Sequence, residues 1–380
     1  MTQIHVVIDD TDRPRCKGVK ILYGFFKTLD KLTNGWIQAQ NIVFLCLVTD
    51  RVTVVFFFTF YRPDPIYSAW EEKDKKLRKL GHKKKDRPKG PKRRSNYPTR
   101  IEIAINLLAR LKSFLSQFEE LTGKQLKVKS ILFDCAYMSP KIQKMARKNF
   151  KKVQLISQIA SNQKVWNRSG CKKTAEEYFN NLNPQTSSFQ IRDNPTDVIF
   201  VSARLTVQSH GRVFHVVAIK YRDEAKFRYL IAADLSWKAE NIIRAYALRW
   251  LIEVVNFDWK QHDGWGESAT QQGADGACRG MILSLLVDSF LLTHPLQIRQ
   301  SRAGLQLWTA GSVVQRVQYD HLLDSIEELF ASPDPEIALK QIAESVGKYI
   351  KLRPSTKHMK PEVLAALGPS LSLQLVWGSG

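Results

Sequence analysis

The chain has 380 residues, of which 44% are hydrophobic and 10% aromatic, and its formal net charge is +22 at pH 7. This length and composition are typical of a globular protein with a large core and exclude a disordered chain, while the excess of positive charge favours nucleic acid as partner far above an anionic membrane. Five dispersed cysteines without a CxxC pair argue against a zinc module and a disulfide framework, and no apolar run has the length of a membrane span, so we expect a cytoplasmic protein.

The first predicted element is a strand over residues 3–8 that leads into Asp9, Asp10 and Thr11. An apolar strand that ends in a carboxylate can present a metal ligand beside a central sheet, although a turn or a helix cap is the more ordinary role of such an aspartate. Because side chains alternate along a strand, only one of the two carboxylates can point towards a metal while the other points away.

Residues 35–50 and 51–62 predict two further strands of this sheet, joined by a turn around Asp50. The composition then changes, because residues 73–100 hold fourteen lysines and arginines against two aspartates and show no apolar periodicity. We expect a mobile surface loop that contacts DNA phosphates without reading sequence; a solubilising or localisation tract is the alternative. The cations expected to bind DNA include Lys83, Lys84, Lys85, Lys92, Arg93 and Arg94.

A second junction between a strand and a carboxylate follows an amphipathic helix predicted over residues 101–121. The strand over residues 127–134 ends in Asp134, and the next helix begins with Ser139 as its N-cap and Pro140 at its first position. Because Ser139 already supplies the cap, Asp134 is available for another role.

Three more strands are predicted at residues 198–207, 212–221 and 228–234. They follow a short strand over residues 152–157 and a polar stretch whose apolar spacing is irregular. A helix capped by Ser236 comes next. The order of elements predicts an α/β protein with a mixed sheet flanked by helices.

The stretch 246–260 carries the most specific pattern. At 100° per residue, four polar or charged side chains fall within an arc of about 60° on one helix face, and apolar side chains fall on the opposite face. A solvated helix would scatter its charges, although an exposed face with an Arg–Glu pair is the plain alternative. The polar face consists of Tyr246, Arg249, Glu253 and Lys260, and the apolar face of Leu248, Leu251, Ile252, Val255 and Trp259.

The spacing of the polar face resembles the Y-R-E-K motif of the DDE transposases of bacterial insertion sequences, of the insertion-sequence-four type. In that family the glutamate belongs to a metal-binding triad, which implies that role for Glu253. The family's first aspartate lies in a D-x-T pattern on the first strand, which fits Asp9, with Asp10 as the alternative. Its second aspartate is followed at the third position by an aromatic residue, which matches Asp134 and Tyr137.

The resemblance implies an RNase H-like (retroviral-integrase-like) fold with a helical C-terminal region. It places a discontinuous catalytic domain at residues 1–159 and 235–300, an inserted β-rich subdomain at residues 160–234 and the helical region at residues 301–380. The match itself covers residues 5–295, and the last eighty residues are much less specific.

The chemistry that the resemblance implies is cut-and-paste DNA transposition. Asp9, Asp134 and Glu253 would hold two Mg²⁺ ions, for which Mn²⁺ can substitute. Water would cut at the transposon end to free a 3′-OH, and this 3′-OH would attack target DNA. The expected partners are double-stranded DNA, as terminal inverted repeats and as target, and a second copy of the chain, since synapsis joins two ends; we expect the protein in the bacterial cytoplasm, associated with the nucleoid when bound.

Four residues of the motif helix are expected to contact the DNA. Arg249 and Lys260 would hold phosphates near the cut, and Tyr246 would donate a hydrogen bond to a phosphate. Trp250 would stack on a flipped base, and core packing is an equal alternative for this residue.

One departure from the family concerns the N-terminus, because related transposases carry a DNA-binding region before the first catalytic strand and here the first aspartate is residue 9. The chain is then either a fragment or internal-start product, or a protein that recognises DNA ends elsewhere. Two other functions remain as alternatives: a transposase-derived DNA-binding protein without catalysis, and an RNase H-like nuclease that cuts without joining.

Overall fold

The computed structural model describes residues 2–15, 22–29, 35–49, 52–167, 170–191, 194–222, 224–262, 265, 272–305 and 307–349. The chain divides into two compact units, Met1–Val314 and Gln315–Gly380. All the described strands belong to the first unit.

The first unit is built on one mixed sheet of twelve described strands, which confirms the α/β class. The strands are β1 Thr2–Arg15, β2 Phe25–Leu29, β3 Trp36–Val48, β4 Thr53–Tyr61, β5 Leu126–Phe133, β6 Gln154–Ile159, β7 Lys164–Trp166, β8 Lys173–Thr174, β9 Gln185–Ile191, β10 Asn194–Val207, β11 Arg212–Tyr221 and β12 Arg228–Ala232. Their order is β2-β3-β1-β5-β6-β12-β11-β10-β7-β8, with β4 paired to β3 and β9 paired to β10.

The centre of the sheet combines antiparallel and parallel pairing. β3 runs antiparallel to both β4 and β1, whereas β1, β5 and β6 run parallel to one another. The parallel strands need crossover connections, and helices supply them. The order β4-β3-β1-β5-β6 therefore places β1 in the middle of five strands.

The prediction that the first strand ends at Ile8 is wrong. β1 continues to Arg15, because its second half pairs with β3 in a continuous antiparallel ladder from Asp9↔Phe44 to Arg15↔Gln38. Its parallel pairing with β5 does end at Ile8↔Phe133. Asp9 therefore lies inside a strand, at the point where the neighbouring strand β5 stops.

The strands predicted between residues 198 and 234 are confirmed. They do not form a sheet of their own, because β12 pairs antiparallel with β6 and so continues the central sheet through β11 to β10. The limits of an inserted subdomain at residues 160–234 stay a prediction.

Ten described helices of at least one turn accompany the sheet. They are α1 Pro65–Lys79, α2 Arg100–Thr122, α3 Pro140–Asn149, α4 Ala175–Phe179, α5 Ala239–Ala247, α6 Leu251–Gln261, α7 Ala274–Leu292, α8 Pro295–Arg302, α9 Ala310–Ala331 and α10 Pro335–Tyr349. The predicted starts of α2 and α3 are confirmed, since a capping box joins Thr99 to Glu102 and the Ser139 side chain accepts from the Ile142 backbone N–H. Residues 350–380 of the predicted C-terminal helical region lie outside the described residues.

Two sequence predictions about helices are wrong. Residues 73–100 are not a loop throughout, because α1 extends to Lys79 and a 3-10 turn follows at Lys84–Asp86. Ser236 does not cap α5, whose N-cap is Lys238, because the Ser236 hydroxyl donates to the Asp234 carboxylate instead.

The sheet separates two apolar cores. α2 and α3 cover one face together with Ile8 of β1, and α5 and α6 cover the other together with Val7. Because side chains alternate along β1, Asp9 belongs to the face of α5 and α6, and Asp10 to the face of α2 and α3.

Helix α7 is mostly apolar in sequence but is buried along only part of its surface. Only its Ala277, Gly280, Met281 and Ser284 are buried, while large apolar side chains such as Leu283 and Phe290 are exposed among the described residues. No single described helix is long and apolar enough to cross a membrane; α7 and α8 pass such a test only as a pair bent by 53°, on length and composition.

Burial, helped by the nearby Asp258 of α6, raises the pKa of Asp288 on α7 from 3.8 to about 6. A carboxyl whose pKa is higher in the folded chain binds its proton more tightly there, so stability is lost as pH rises from about 4 to 6. We expect Asp288→Asn to raise the free energy of unfolding at pH 7 by about 1–2 kcal/mol and to leave it unchanged below pH 4, as measured by urea unfolding. Asp324→Asn, at an exposed helix position, is the control, and an equal gain at both pH values would contradict the assignment.

Candidate active site

The polar face of the motif helix lies against the first strand. Arg249 Nη1 donates a hydrogen bond to Asp9 Oδ2 at 3.0 Å, and the Lys260 ammonium donates to Thr11 Oγ1 at 2.6 Å. Both acceptors point from the same face of β1 because they are two residues apart. Helix and strand therefore meet through residues that are 240 and 249 positions apart in the chain.

The helix that carries this face is interrupted. α5 ends at Ala247, a 3-10 turn covers Leu248–Trp250, and α6 begins at Leu251. A 3-10 segment inside a helix often marks a functional or strained position. Arg249 lies in the turn itself and Glu253 in the first turn of α6.

The guanidinium of Arg249 contacts two carboxylates and is influenced by the charge of a third. Its Nη1 lies 3.0 Å from Asp9 Oδ2 and 4.0 Å from Glu253 Oε1, and Asp134 is close enough for its charge to act on Arg249 and on Asp9. The side chains of Arg249 and Asp9 are 18% and 13% exposed, whereas that of Glu253 is 45% exposed. Asp134 directly follows β5, the strand that stops beside Asp9.

The contacts of the Asp9 carboxylate do not fully offset the cost of burying its charge. Burial raises its pKa from 3.8 to about 7; Arg249 and the Asp10 backbone N–H oppose this rise, and the charges of Asp10 and Asp134 add to it. A buried carboxylate that one guanidinium does not fully stabilise is suited to a further cation.

Carboxylate oxygens are the donors that Mg²⁺ prefers, so Asp9, Asp134 and Glu253 fit this ion by their chemistry. Arg249 Nη1 contacts both Asp9 and Glu253, and the described part of the chain holds no group of three His, Cys, Asp or Glu side chains arranged to hold a metal ion. Metal binding at these acids therefore remains a prediction.

Asp10, the alternative to Asp9, is engaged on the opposite face of β1. Its Oδ1 accepts from the Tyr137 hydroxyl at 2.7 Å, and its Oδ2 accepts from Asn41 Nδ2 at 2.9 Å and lies 3.2 Å from Arg100 Nε. Both oxygens of Asp9 also accept from protein donors, the Asp10 backbone N–H and Arg249, so the two aspartates differ in the face of β1 on which they lie. This geometry favours Asp9 over Asp10 as the residue that faces the motif helix.

The other residues of the motif helix differ in accessibility. Tyr246 is 7% exposed, and burial raises the pKa of its phenol, so it is a buried neighbour of Arg249 rather than a surface group. Trp250 is 67% exposed, which excludes the core-packing alternative for this side chain. Lys260 is half-buried, and burial together with the nearby Arg13 lowers its pKa.

The predicted DNA-binding cations of the basic segment are separate from these contacts. Lys83, Lys84, Lys85 and Lys92 are exposed. Arg93 lies over the Tyr67 ring at 4.0 Å. Arg94 forms an ion pair with Asp64 at 2.8 Å, so its guanidinium is already engaged within the protein.

Sequence reasoning did not assign roles to Thr11, Arg13, Asn41 or Arg100. The alternation of β1 could have placed Thr11 and Arg13 on the face of Asp9, because each is an even number of residues away. No local pattern could have brought Asn41 and Arg100 to Asp10, since they lie 31 and 90 residues further along the chain.

The amino-acid sequence matches no protein-family model and no curated protein. Among solved structures the chain is similar to the crystal structure of the NurA nuclease from Sulfolobus solfataricus, with 8% sequence identity, 66% of this chain and 73% of that chain covered, and a TM-score of 0.26. Similarity of this degree establishes neither a shared fold nor a shared activity.

Proposed function

We propose that the protein is a DDE-type DNA transposase, which cuts a phosphodiester at a transposon end and joins the freed 3′-OH to target DNA with the help of divalent metal ions. One observation carries the proposal. The two halves of the motif, D-x-T on β1 and Y-R-E-K on α5 and α6, pack against each other through Asp9–Arg249 and Thr11–Lys260. Each of the two motifs resembles the family by its own residue spacing. Because they are about 240 residues apart in the chain, no local interaction brings them together.

The strand order supports an RNase H-like catalytic core as part of this proposal. The five strands β4-β3-β1-β5-β6 contain three successive antiparallel strands followed by two strands parallel to β1. α2 and α3 lie in the connections before β5 and before β6. In this arrangement Asp9 lies on β1, Asp134 directly follows the neighbouring strand β5, and Glu253 lies in the first turn of α6.

Under this proposal each site residue has a distinct role. Asp9, Asp134 and Glu253 would hold the metal ions, which when bound activate the attacking oxygen and stabilise the leaving oxygen. Arg249 and Lys260 would bind phosphate oxygens of the scissile strand, the former in a fork and the latter as a point charge. The Arg249 Cζ lies 5.8 Å from the centroid of the Tyr246 ring, so Tyr246 would help to hold the guanidinium in position.

The test uses a labelled duplex of the presumed transposon end, incubated with the protein in Mg²⁺ or Mn²⁺. We expect cut and joined products from the unchanged protein and neither from Asp134→Asn, while Glu120→Gln, at an exposed position of α2, retains both. Cut products without joined ones would replace the proposal by a nuclease. Binding without cutting, in all three proteins, would replace it by a DNA-binding function.

Trp250 gives a separate prediction because its ring is exposed and it directly follows Arg249 in the chain. We expect Trp250→Ala to reduce cut product about 10-fold or more, since base–aromatic stacking contributes about 1–3 kcal/mol per base. The free energy of unfolding should change by less than about 0.5 kcal/mol, as for other surface substitutions. Trp36→Ala, at an indole that is also largely exposed but lies on β3, is the matched control. Equal activity of the two variants would contradict a stacking role.

A further inference from the structure

The basic segment has a fold of its own, which its composition did not predict. It consists of α1, the 3-10 turn at Lys84–Asp86 and residues 87–97, which form neither helix nor strand, and it is called the basic arm below. α1 contains no buried residue among those described, so an apolar core does not hold the arm together. Ion pairs, aromatic rings and a carboxylate at its base do so instead.

Asp64 joins the two ends of the arm. Its Oδ1 accepts from the Ile66 backbone N–H at 3.0 Å, which caps α1, and from Arg94 Nη2 at 2.8 Å. Its Oδ2 accepts from the Arg94 backbone N–H at 3.1 Å. The carboxylate is buried, and its hydrogen bonds, above all with the Arg94 side chain, lower its pKa to about 2, so the charge is present at neutral pH.

The part of the basic arm that follows the 3-10 turn packs along one face of α1. Arg87 donates to both oxygens of Asp74 at 2.8 and 2.7 Å, and the Trp70 indole N–H donates to the Pro88 carbonyl at 2.8 Å. Gly90 lies against the Trp70 ring so closely that a Cβ atom there would be 3.2 Å from it. Tyr67, under the guanidinium of Arg93, belongs to the same face because residues 67, 70 and 74 are three and four apart.

The cations of the arm therefore fall into two sets. Arg87, Arg93 and Arg94 contact acids or rings of the arm itself. A second set is exposed to solvent and follows the outside of the arm: Lys73, Lys75, Lys76, Arg78, Lys79, Lys83, Lys84, Lys85, Lys89 and Lys92. Two acids, Glu71 and Glu72, precede these cations in the chain, and Glu71 lies 4.0 Å from Lys75. Between Lys73 and Lys92 the acids are Asp74, which pairs with Arg87, and Asp86.

We propose that the basic arm is a preformed surface for the phosphate backbone of duplex DNA, with the exposed cations as the contacts and the internal ion pairs as the frame that holds them in place before DNA binds. The proposal rests on the proposed function only for the class of partner and not for catalysis. Lysines on a rigid frame contact phosphates without reading base edges, so the arm binds duplexes of any sequence. A frame already formed loses less conformational entropy on binding than a mobile loop does.

The first part of the experiment replaces exposed lysines of the basic arm. Binding of the full chain to a labelled duplex of random sequence is measured in EDTA, without metal ions and therefore without cutting, over a series of salt concentrations. We expect the triple variant Lys83→Gln, Lys84→Gln and Lys85→Gln to bind more weakly and to lower the slope of log K against log salt by about 2–3, since each neutralised phosphate contributes about 0.9. Lys141→Gln, Lys144→Gln and Lys148→Gln remove the same charge from exposed positions of α3 and should change the slope much less.

The second part of the experiment tests whether DNA binding depends on the folded frame of the basic arm or only on its positive charge. Asp64→Asn makes the chain more positive by one charge, so an unstructured tract would bind DNA as well or more tightly. We expect roughly 3- to 10-fold weaker binding, because the frame opens and its ordering then opposes association, together with faster trypsin cleavage within the arm. Asp74→Asn, on the arm and away from its base, should show the same two changes in the same direction if Asp64→Asn proves unstable.

Three results would overturn the proposal. One is an unchanged salt slope in the triple lysine variant. Another is binding by Asp64→Asn and Asp74→Asn that is as tight as that of the unchanged protein, with the same trypsin pattern. A third is loss of binding to vesicles rich in phosphatidylserine in the lysine variant while DNA binding is kept, which would assign the arm to a membrane surface. Each is independent of whether the protein cuts DNA.

Discussion

Replacing Asp9 by asparagine is expected to lower metal-dependent DNA cutting by more than about 100-fold, because loss of even an outer group around a metal site costs about 10- to 100-fold. Asn keeps the shape of the side chain and removes a carboxyl whose pKa burial raises to about 7. Burial disfavours the charged form of this carboxyl, and Arg249 keeps Glu253 and Asp134 nearby, so we expect a smaller loss of unfolding free energy than for Arg249→Met. Cutting is followed on the labelled duplex and folding by circular dichroism.

Asp10→Asn is the matched control, one residue away on the opposite face of β1. There the carboxylate accepts from Tyr137 and Asn41 and pairs with Arg100. Removing its charge should lower the free energy of unfolding by about 1–3 kcal/mol, as for hydrogen bonds to a charged group, and keep cutting within about 10-fold. If Asp10→Asn abolished cutting in a stable protein while Asp9→Asn did not, the two aspartates would have to exchange roles.

Arg249→Met is expected to affect stability and activity together. Arg249 is the charged partner of Asp9 and lies near Glu253 and Asp134, so its loss leaves three neighbouring carboxylates without the cation between them. Breaking a fully buried pair costs about 3–5 kcal/mol; for this slightly exposed pair we expect a loss of about 2–4 kcal/mol in EDTA. Cutting should also fall, because under the proposed function the Arg249 guanidinium binds a phosphate.

Two comparisons make the origin of this loss measurable. Adding Mg²⁺ should raise the unfolding midpoint of Arg249→Met more than that of the unchanged protein, since a cation then replaces the guanidinium among the acids. The double variant Asp9→Asn, Arg249→Met should be more stable in EDTA than Arg249→Met alone, because the two residues are in contact and couple. Arg244→Met, at an exposed position of α5, is the control. Additive effects of the Asp9 and Arg249 substitutions would show that their ion pair contributes little.

The amino-acid sequence by itself determined the elements whose signals are local. The period of 3.6 identified α2 and the polar face of α6, and Ser139-Pro140 marked the start of α3, because periodicity and capping depend on residues a few positions apart. The alternation of β1 likewise required that Asp9 and Asp10 point to opposite faces. It could not decide which face meets α6, since that depends on a helix about 240 residues away.

Only the tertiary structure decided the features that depend on distant partners. β1 continues past Ile8 because β3 offers a partner for its second half, which no property of residues 9–15 alone reveals. The basic arm folds because Asp64 and Asp74 find Arg94 and Arg87, whereas its composition resembles that of a solvated loop. The sequence left Asp10 as the alternative to Asp9, and the structure places its carboxylate on the opposite face of β1, in contact with Tyr137, Asn41 and Arg100. The sequence specified which side chains share a face, and the packing of distant segments specified what that face meets.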